Sequence, residues 1–568
     1  MTLIQWLLFT LIVQFIHGLG TWKLYVRAER KSWEAFVPVY NAIVLMQIIN
    51  RPKWYTFLLF IPVINLIIIP VIWVETIRSF GYNSIKDTFL VLVTFGLYIY
   101  YINYTQNATH IPNRSLEPTN KTADTISSLL FAIVVATFVH TYFIQPFTIP
   151  TSSLEKSLLV GDFLFVSKYN YGARTPLTPV AAPMVHDTIP LINIKSYTTF
   201  PQLPYFRFPG YDKIKNNDIV VFNWPTDTLF NMYIAADKRY DKPIDKKTNY
   251  VKRCVGIAGD SLQIKNGIIY INGKELILPE RAKPQFFYKI FVSESTSDDI
   301  KTDYQITEFR DFFEITNEIW DKPEIKSELI KTYNFQEFKR DSLFSIVSGA
   351  IDQDVFQKLN LRFSKSFFYG NLTKEKYEQI KTDSRVKSIE QVISFENEDG
   401  IFPDFKDGIP SPVRKWNVDN FGPIYIPKKG ATVAINKKTL PFYKKIINEY
   451  EGNTLEVNGN EIKINGKIAQ SYTFKQDYYW MMGDNRQNSL DARYFGYTPE
   501  NHIVGKPIFI WMSWDSSAQG IMKKIRWYRL FTTVSGEGQP QSYFKYFLFL
   551  LALYFIFDYF RNKKKKQV

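Results

Sequence analysis

Several apolar runs, each close to the length that crosses a bilayer, constrain this 568-residue chain more than any other feature. A helix needs about 20 mostly apolar residues to span the hydrocarbon core of a membrane. The candidate spans are Leu3 to Leu19, Tyr55 to Val74, Thr88 to Tyr104, Ser127 to Phe143 and Tyr543 to Tyr559. Pro38 and Asn41 interrupt a further apolar run, Phe36 to Ile49, so it can be re-entrant, interfacial or half of a broken span. The chain is therefore predicted to be a multi-pass membrane protein.

Basic residues beside these runs set the predicted orientation, because Lys and Arg in short flanking loops favour the cytoplasm. Arg561-Asn-Lys-Lys-Lys-Lys566 follows the last run, and the loops holding Lys23, Arg27, Arg30, Lys31, Arg114 and Lys121 agree with it. We expect a cytoplasmic tail and an external region from about Phe147 to Gln541. The first run lacks the basic start and small-residue cleavage site of a removable signal peptide, so we expect it to be retained. The formal net charge of +15 favours anionic lipid as a partner, and no nucleic acid.

Cysteine and histidine usage excludes several kinds of site. A single cysteine, Cys254, leaves no internal disulfide and no zinc site built on clustered thiolates. The five histidines, His17, His110, His140, His186 and His502, show no paired metal-ligand spacing. We therefore predict neither a metal nor another cofactor.

The region between the last two apolar runs has mainly β patterning. Asp218 to Phe222 is a short buried-strand pattern. Ser261 to Lys274 and Thr454 to Lys467 each alternate apolar residues around an Asn-Gly pair, which favours a type I′ hairpin turn. Two ordinary hairpins explain this likeness better than a duplicated domain.

The β patterning is interrupted from about Pro279 to Arg414, where the sequence is charged and less periodic. Helices are predicted there around Phe313 to Tyr333 and Lys374 to Ile380. The predicted organisation is a multi-span region over residues 1–124, an anchor helix over 125–146, a β domain in two parts at 147–278 and 416–530, an α/β insertion over 279–415, and a C-terminal membrane helix over 543–560 before the tail at 561–568.

Three short segments carry residues suited to peptide-bond chemistry. They are Gln145-Pro-Phe-Thr-Ile-Pro-Thr-Ser-Ser-Leu154, Tyr250-Val-Lys-Arg-Cys-Val-Gly-Ile-Ala-Gly-Asp260 and Met482-Gly-Asp-Asn-Arg-Gln-Asn-Ser-Leu-Asp-Ala-Arg493. A serine hydroxyl is a poor nucleophile and needs a base within hydrogen-bond reach. No histidine lies in these segments, which argues against a Ser-His-Asp arrangement. A lysine can replace histidine if burial lowers its pKa from about 10.4 by roughly 3 units, so Ser153 and Lys252 form the candidate pair.

In this order and behind a membrane helix, the three segments resemble those of type I signal peptidases, the bacterial Ser/Lys serine proteases of the S26 family. The resemblance covers roughly Ser127 to Tyr270 and Asp419 to Trp514. It implies that Ser153 is the nucleophile and Lys252 the general base. It further implies that the Thr151 hydroxyl joins the Ser153 N–H in an oxyanion hole, and that Ser489 orients the lysine amine.

The resemblance also implies roles for residues around this pair. Shallow apolar pockets for small substrate side chains, such as Ala-X-Ala ends, would be lined by Phe147, Ile149, Pro150, Leu154, Leu158, Tyr250 and Val251, any one of which can equally be a core residue. Ion pairs and turns near the site would be formed by Arg253, Asp484, Arg486, Asp491 and Arg493, with Gly161 and Gly483 serving turns. Leu154 and Lys156-Ser157 stand where the family usually has Met and a Pro-Thr pair; Leu for Met preserves side-chain volume.

The expected protein is thus a multi-pass α-helical membrane region joined to a mainly β extracytoplasmic catalytic domain with a signal-peptidase-like fold. It would cleave signal peptides from exported preproteins at the bacterial inner membrane, with membrane lipid and the secretion machinery as further partners. One alternative is a non-catalytic membrane scaffold or assembly protein that kept the fold. Another is a peptidase dedicated to one substrate.

Overall fold

The computed structural model of this protein describes residues 2–117, 121–190, 192–230, 238–293, 296–349, 353–394, 400–403 and 416–565. Its first region is helical: α1 (Leu3–Arg27), α2 (Tyr40–Ile48), α3 (Tyr55–Leu58), α4 (Ile64–Arg78), α5 (Ile85–Val93), α6 (Tyr98–Thr105) and α7 (Lys121–Tyr142). These helices share an apolar core that includes Leu24, Leu45, Ile64 and Ile102.

Two helices of the described chain, α1 and α7, are long and apolar enough to cross a membrane. The pair α5 and α6, which is bent by 115°, makes a third candidate if it forms one span. The predicted span over 55–74 is divided between α3 and α4, since Pro62 has no N–H to donate and Val63 has a φ of 69°. The interrupted run at 36–49 contains only the nine-residue α2. The multi-pass prediction is therefore not confirmed beyond these candidates.

The β domain follows α7, whose helix ends earlier than the predicted anchor because β1 begins at Ile144. Its first part contains β1 (Ile144–Thr148), β2 (Asp162–Ser167), β3 (Ile219–Asn223), β4 (Asn249–Gly256), β5 (Ser261–Lys265), β6 (Ile268–Ile271) and β7 (Lys274–Glu275). The predicted strand at 218–222 is thus present as β3.

A second group of strands and helices, which we call the inserted lobe, comes next. It contains β8 (Gln285–Val292), α8 (Ser297–Asp303), β9 (Phe309–Thr316), α9 (Asn317–Trp320), α10 (Pro323–Tyr333), β10 (Gln336–Arg340), β11 (Phe344–Ser348), α11 (Gln353–Lys358), β12 (Arg362–Thr373), α12 (Lys374–Lys381) and β13 (Val386–Gln391). Its strands form one antiparallel sheet in the order β10-β11-β9-β12-β8-β13. The helix predicted from Phe313 is wrong up to Thr316, because β9 continues there and buries Ile315 in the lobe's core. The lobe's predicted end, 404–415, lies outside the described residues.

The chain then returns to the β domain. The remaining elements are β14 (Phe421–Tyr425), β15 (Thr432–Ala434), α13 (Leu440–Lys445), β16 (Leu455–Asn458), β17 (Glu461–Ile464), β18 (Lys467–Ile468), β19 (Ser471–Thr473), β20 (Tyr478–Met482), α14 (Ala492–Phe495), β21 (Thr498–Pro499), β22 (Ile503–Ser513), α15 (Ile521–Lys524), β23 (Thr532–Thr533) and α16 (Phe544–Lys565). The helix α16 covers the predicted C-terminal span, but Lys545, Asp558 and Arg561 lie within it and it is not among the candidate spans. The end of the basic tail, 566–568, lies outside the described residues.

One antiparallel sheet unites the two parts of the β domain in the order β1-β2-β22-β3-β4-β20-β21. The prediction of a mainly β region is confirmed, and the two parts of its sheet lie on either side of the lobe along the chain. The two predicted hairpins are also present, with φ values of 49° and 80° at Asn266 and Gly267, and of 53° and 75° at Asn465 and Gly466. Positive φ at both central residues is what a type I′ turn requires.

The sheet separates two apolar cores. Alternate residues of β3 face opposite sides, so Val220 and Phe222 enter the larger core while Ile219 and Val221 enter the smaller one. The smaller core also holds Leu154, and it therefore fixes the turn that carries Ser153 against the sheet.

Candidate active site

The fold brings Ser153 and Lys252 together from positions 99 residues apart. Ser153 lies in a single 3₁₀ turn, Ser152–Leu154, after β1, and Lys252 lies on β4 opposite Val220 of β3. Lys252 Nζ is 2.7 Å from Ser153 Oγ. The exposed fractions of Lys252 and Ser153 are 4% and 9%, so the contact is shielded from water.

Burial lowers the pKa of Lys252 to about 8, although Asp491 and Asp484 act in the opposite direction. At pH 7 roughly a tenth of such amines are neutral, against fewer than one in a thousand for an unperturbed lysine. The wall of the site is aromatic: Lys252 Nζ lies 5.2 Å from the Tyr250 ring centre, and that ring stacks on Trp224 at 5.2 Å. A neutral amine in this position can accept the proton of the Ser153 hydroxyl.

Two buried ion pairs surround the lysine. Arg253 donates two hydrogen bonds to Asp484, at 2.8 and 2.6 Å, and Arg493 donates two to Asp491, at 2.9 and 2.8 Å. Burial by itself would raise the pKa of both carboxyls, but the paired guanidinium groups hold each pKa below its usual range.

These pairs also join the third motif to the nucleophile segment. The Asp484 carboxylate accepts a hydrogen bond from Ser157 Oγ at 2.6 Å. Arg486 differs from the other arginines: it is buried, burial lowers its pKa to about 10, and it forms no ion pair within the described residues. An ion pair at Arg486 stays a prediction.

Ser489 lies across Gly483 from the nucleophile turn. A Cβ placed on Gly483 would be 2.2 Å from Ser489 Oγ and 2.6 Å from the Ser153 carbonyl oxygen. Gly483 is thus required for close approach and not for positive φ, whereas Gly161 has a φ of 87° and serves a turn as predicted. Ser489 Oγ is buried and has no hydrogen-bond partner among the described atoms, so its orienting role stays a prediction.

Thr151 has an exposed side chain and extended backbone immediately before the 3₁₀ turn. Its predicted position at the entrance of the turn is therefore accessible to a substrate. Its role in an oxyanion hole stays a prediction.

The predicted pocket residues divide by exposure. Ile149, Leu154 and Leu158 are buried in the smaller core, at 4%, 1% and 1% exposure. Phe147 and Val251 are half-buried at the margin of that core, and Tyr250 packs against the larger one. Pro150 is exposed. The residues that retain exposed surface are the ones that can contact a substrate directly.

Several polar residues that contact the nucleophile turn were missed by the sequence analysis. Asn485 and Asn488 lie within the third motif, and their hydrogen bonds end on Ser152 and Ser153. Glu308 and Asn371 reach the same group from the inserted lobe. No local pattern marks these two residues, because the insertion lies outside the recognised motifs.

The contact between Ser153 and Lys252 is the arrangement expected of a serine peptidase. Comparison with known families makes the assignment specific: residues 122–303 and 424–514 match the family described as signal peptidase, peptidase S26. The matched residues include all three segments, in agreement with the resemblance to type I signal peptidases. Residues 33–113 match DUF5684, a family of unknown function.

Similar individual proteins carry the name signal peptidase I. The Rickettsia typhi protein is 28% identical over 165 residues, which are 29% of this chain and 49% of that protein. The Rickettsia massiliae protein is 29% identical over 159 residues, covering 28% and 46%. The Buchnera aphidicola protein is 23% identical over 393 residues, covering 69% and 75%. The chain thus spans about half the length of the Rickettsia relatives it matches.

Proposed function

We propose that this protein is a membrane-bound serine endopeptidase that removes N-terminal signal peptides from exported preproteins by cutting after small residues. The observation that carries the proposal is the 2.7 Å contact between Ser153 Oγ and the buried Lys252 amine, whose pKa burial lowers to about 8. The names of the similar proteins support the class of substrate.

In the proposed reaction, neutral Lys252 takes the Ser153 proton while Oγ attacks the scissile carbonyl carbon. The Ser153 N–H and the Thr151 hydroxyl stabilise the charge on the carbonyl oxygen. The protonated lysine then gives its proton to the departing amine as the C–N bond breaks. A water activated by the same lysine hydrolyses the acyl-enzyme, and Ser489 keeps the amine directed at Ser153.

The proposed specificity comes from the apolar surface beside the turn. Phe147 and Val251 offer half-exposed walls above a floor formed by Leu154 and Leu158, while Tyr250 flanks the Lys252 amine. Because the floor is already packed, side chains larger than Ala would clash with it.

We further propose a multi-pass topology in the bacterial inner membrane, with the β domain outside and the tail in the cytoplasm. A contact between α1 and the β domain supports it: Trp6 Nε1 donates to the Gln202 carbonyl oxygen at 2.9 Å. The first turns of α1 therefore lie on the same side as the catalytic domain. Exposed apolar side chains on α1, α7 and α16 provide the surface for membrane lipid, and the secretion machinery would deliver the preproteins.

The test is cleavage of signal-peptide-bearing preproteins by the purified full-length protein in detergent. Ser153→Ala and Lys252→Ala are each expected to lower kcat by at least about a thousandfold. Lys265→Ala, at an exposed lysine, is the matched control and should cut like the wild type.

Three other outcomes would contradict or narrow the proposal. Undiminished cutting by either site variant would contradict the Ser/Lys pair. A folded wild-type protein that cuts no preprotein from a varied set would contradict general signal-peptide processing and favour the scaffold. Cutting confined to one preprotein would favour a dedicated peptidase.

A further inference from the structure

Asn485 adds two hydrogen bonds to the main chain of the turn that carries Ser153, beside the turn's own bond from the Glu155 N–H to the Ser152 carbonyl oxygen at 2.8 Å. The Asn485 N–H donates to the Ser153 carbonyl oxygen at 3.1 Å, and its Nδ2 donates to the Ser152 carbonyl oxygen at 3.1 Å. The turn is only three residues long and has no side-chain cap of its own. Asn485 therefore supplies two of the bonds that fix the geometry of the turn.

The inserted lobe holds that side chain. Asn485 Nδ2 also donates to Glu308 Oε2 at 2.6 Å, and Asn371 Nδ2 donates to Asn485 Oδ1 at 2.8 Å. Asn371 Nδ2 bonds the same Glu308 oxygen at 2.6 Å, and the Asn371 N–H donates to the Glu308 carbonyl oxygen at 2.9 Å. Both ends of the fully buried Asn485 amide are thus fixed by residues of the insertion.

The chemistry of Glu308 sets the orientation of that amide. An ionised carboxylate can only accept hydrogen bonds, so it requires the NH₂ end of Asn485 to face it. The same NH₂ end then meets the Ser152 carbonyl oxygen. A flipped amide would place Oδ1 against two acceptors, the carboxylate and the carbonyl, and would lose both bonds. Within the described chain Glu308 forms no ion pair, and its hydrogen bonds are to amide side chains.

Two further side chains, one from the third motif and one from the lobe, bond the turn and the residue after it. Asn488 Nδ2 donates to Ser152 Oγ at 2.9 Å and approaches Glu308 Oε1 at 3.5 Å. Gln285, at the start of β8, donates from Nε2 to the Glu155 carbonyl oxygen at 2.9 Å. The insertion therefore contacts the chain directly after the turn through Gln285, and reaches the start of the turn through Asn485 and Asn488.

We infer that Glu308 and Asn371 are positioning residues for the Ser153 nucleophile, which act through the Asn485 amide. The inference rests on the proposed peptidase function. It makes the inserted lobe a part of the catalytic unit, because the direction of Ser153 Oγ toward Lys252 depends on a carboxylate supplied by the lobe.

The experiment compares cleavage by full-length Glu308→Ala, Asn371→Ala and Glu308→Gln. A nucleophile displaced by about 1 Å can lose up to 100-fold in rate, so we expect Glu308→Ala and Asn371→Ala to lower kcat by about 10- to 100-fold with KM within about twofold. The carbonyl oxygen of Gln can accept the same two amide bonds, so Glu308→Gln should keep at least about a third of the wild-type kcat. Glu328→Ala, at an exposed glutamate of α10, is the matched control and should be unchanged.

A double-mutant cycle separates positioning from a general loss of structure. If Glu308 acts through Asn485, Glu308→Ala should add less than about twofold in an Asn485→Ala background. Unfolding midpoints are measured for every variant, and the loss of kcat must occur in protein that remains folded. The midpoint of the pH dependence of kcat should stay unchanged, because the proposed role of Glu308 is to position Ser153 and not to change the pKa of Lys252.

The inference would be overturned by wild-type kcat in Glu308→Ala, by an equal loss in Glu328→Ala, or by losses that multiply fully in the double mutant. All three require that the wild-type protein cuts the preprotein. A wild-type protein that does not cut would instead overturn the proposed function, so the two failures are distinguishable.

Discussion

Lys252 has a lowered pKa although two carboxylates, Asp484 and Asp491, lie near enough to oppose it. Each carboxylate is paired with an arginine, so each pair presents little net charge to the lysine amine. Burial then decides the direction of the pKa shift, because the paired carboxylates do little to offset the cost of a charged ammonium among apolar side chains. The ion pairs therefore favour a neutral Lys252 amine, because they offset the charge of the two carboxylates that would otherwise keep it protonated.

The pH dependence of cleavage follows from this balance. Lys252 must be neutral to act, and its pKa is about 8. The rate constant kcat/KM should rise by about tenfold per pH unit from pH 6 to 7 and level off above about pH 9. Initial rates measured between pH 6 and 10 check this, with the unfolding midpoint followed over the same range as a control. A midpoint near 10.5 would show that Lys252 is not desolvated.

At the scale of elements, the end of β20 determines how closely the third motif approaches the nucleophile. Met482 of β20 pairs with Arg253 of β4, and the next residue, Gly483, lies against Ser489 and the Ser153 carbonyl oxygen. There is no free volume beside position 483 that a side chain could fill. The absence of a Cβ at this strand end thus lets the motif carry its polar groups up to the turn.

Gly483→Ala tests this close approach. Its Cβ would lie 2.2 Å from Ser489 Oγ, so the strand end or the turn must shift. We expect a loss of about 1–3 kcal/mol in the free energy of unfolding and a fall in kcat of at least about tenfold. Urea unfolding and cleavage kinetics measure the two effects. Met482→Leu, a volume-conserving change at the preceding residue, should alter neither greatly; a fully active Gly483→Ala would show that the contact has no role.

For the whole molecule, the proposed topology puts the β domain outside the membrane and the C-terminal tail in the cytoplasm. Cysteine labelling can test this topology. The only cysteine, Cys254, should react little with a maleimide because it is buried and burial raises the pKa of its thiol. New cysteines at exposed positions therefore report their side of the membrane without removal of the natural one.

Lys274→Cys lies in the β domain and Lys563→Cys near the end of α16, and both positions are exposed. With the proposed topology, a membrane-impermeant maleimide should label Lys274→Cys in right-side-out vesicles and Lys563→Cys in inverted vesicles. The wild-type protein should label in neither, which controls for Cys254. Labelling of both positions from the same side would contradict a crossing by α16.

Local chemistry determined what the sequence could predict. The hairpins at Asn266-Gly267 and Asn465-Gly466 were predictable because a type I′ turn requires positive φ at two adjacent residues, which an Asn-Gly pair readily adopts. Ser153 and Lys252 were recognisable as a candidate pair because each lies in a short segment with a characteristic pattern. The sequence also predicted that one β unit surrounds an insertion.

Only the tertiary structure decided the rest. The lowered pKa of Lys252 comes from burial and from the neutralised acids around it, which no segment contains by itself. The bond between Asn485 and Glu308 joins residues 177 positions apart, and its two partners have no local pattern in common. The apolar run at 55–74 was broken by backbone conformation at Val63, which apolarity alone does not specify. Composition and spacing indicate which local structures and side-chain chemistry a segment allows. Burial and contacts with residues distant in the sequence determine which of these the folded protein adopts.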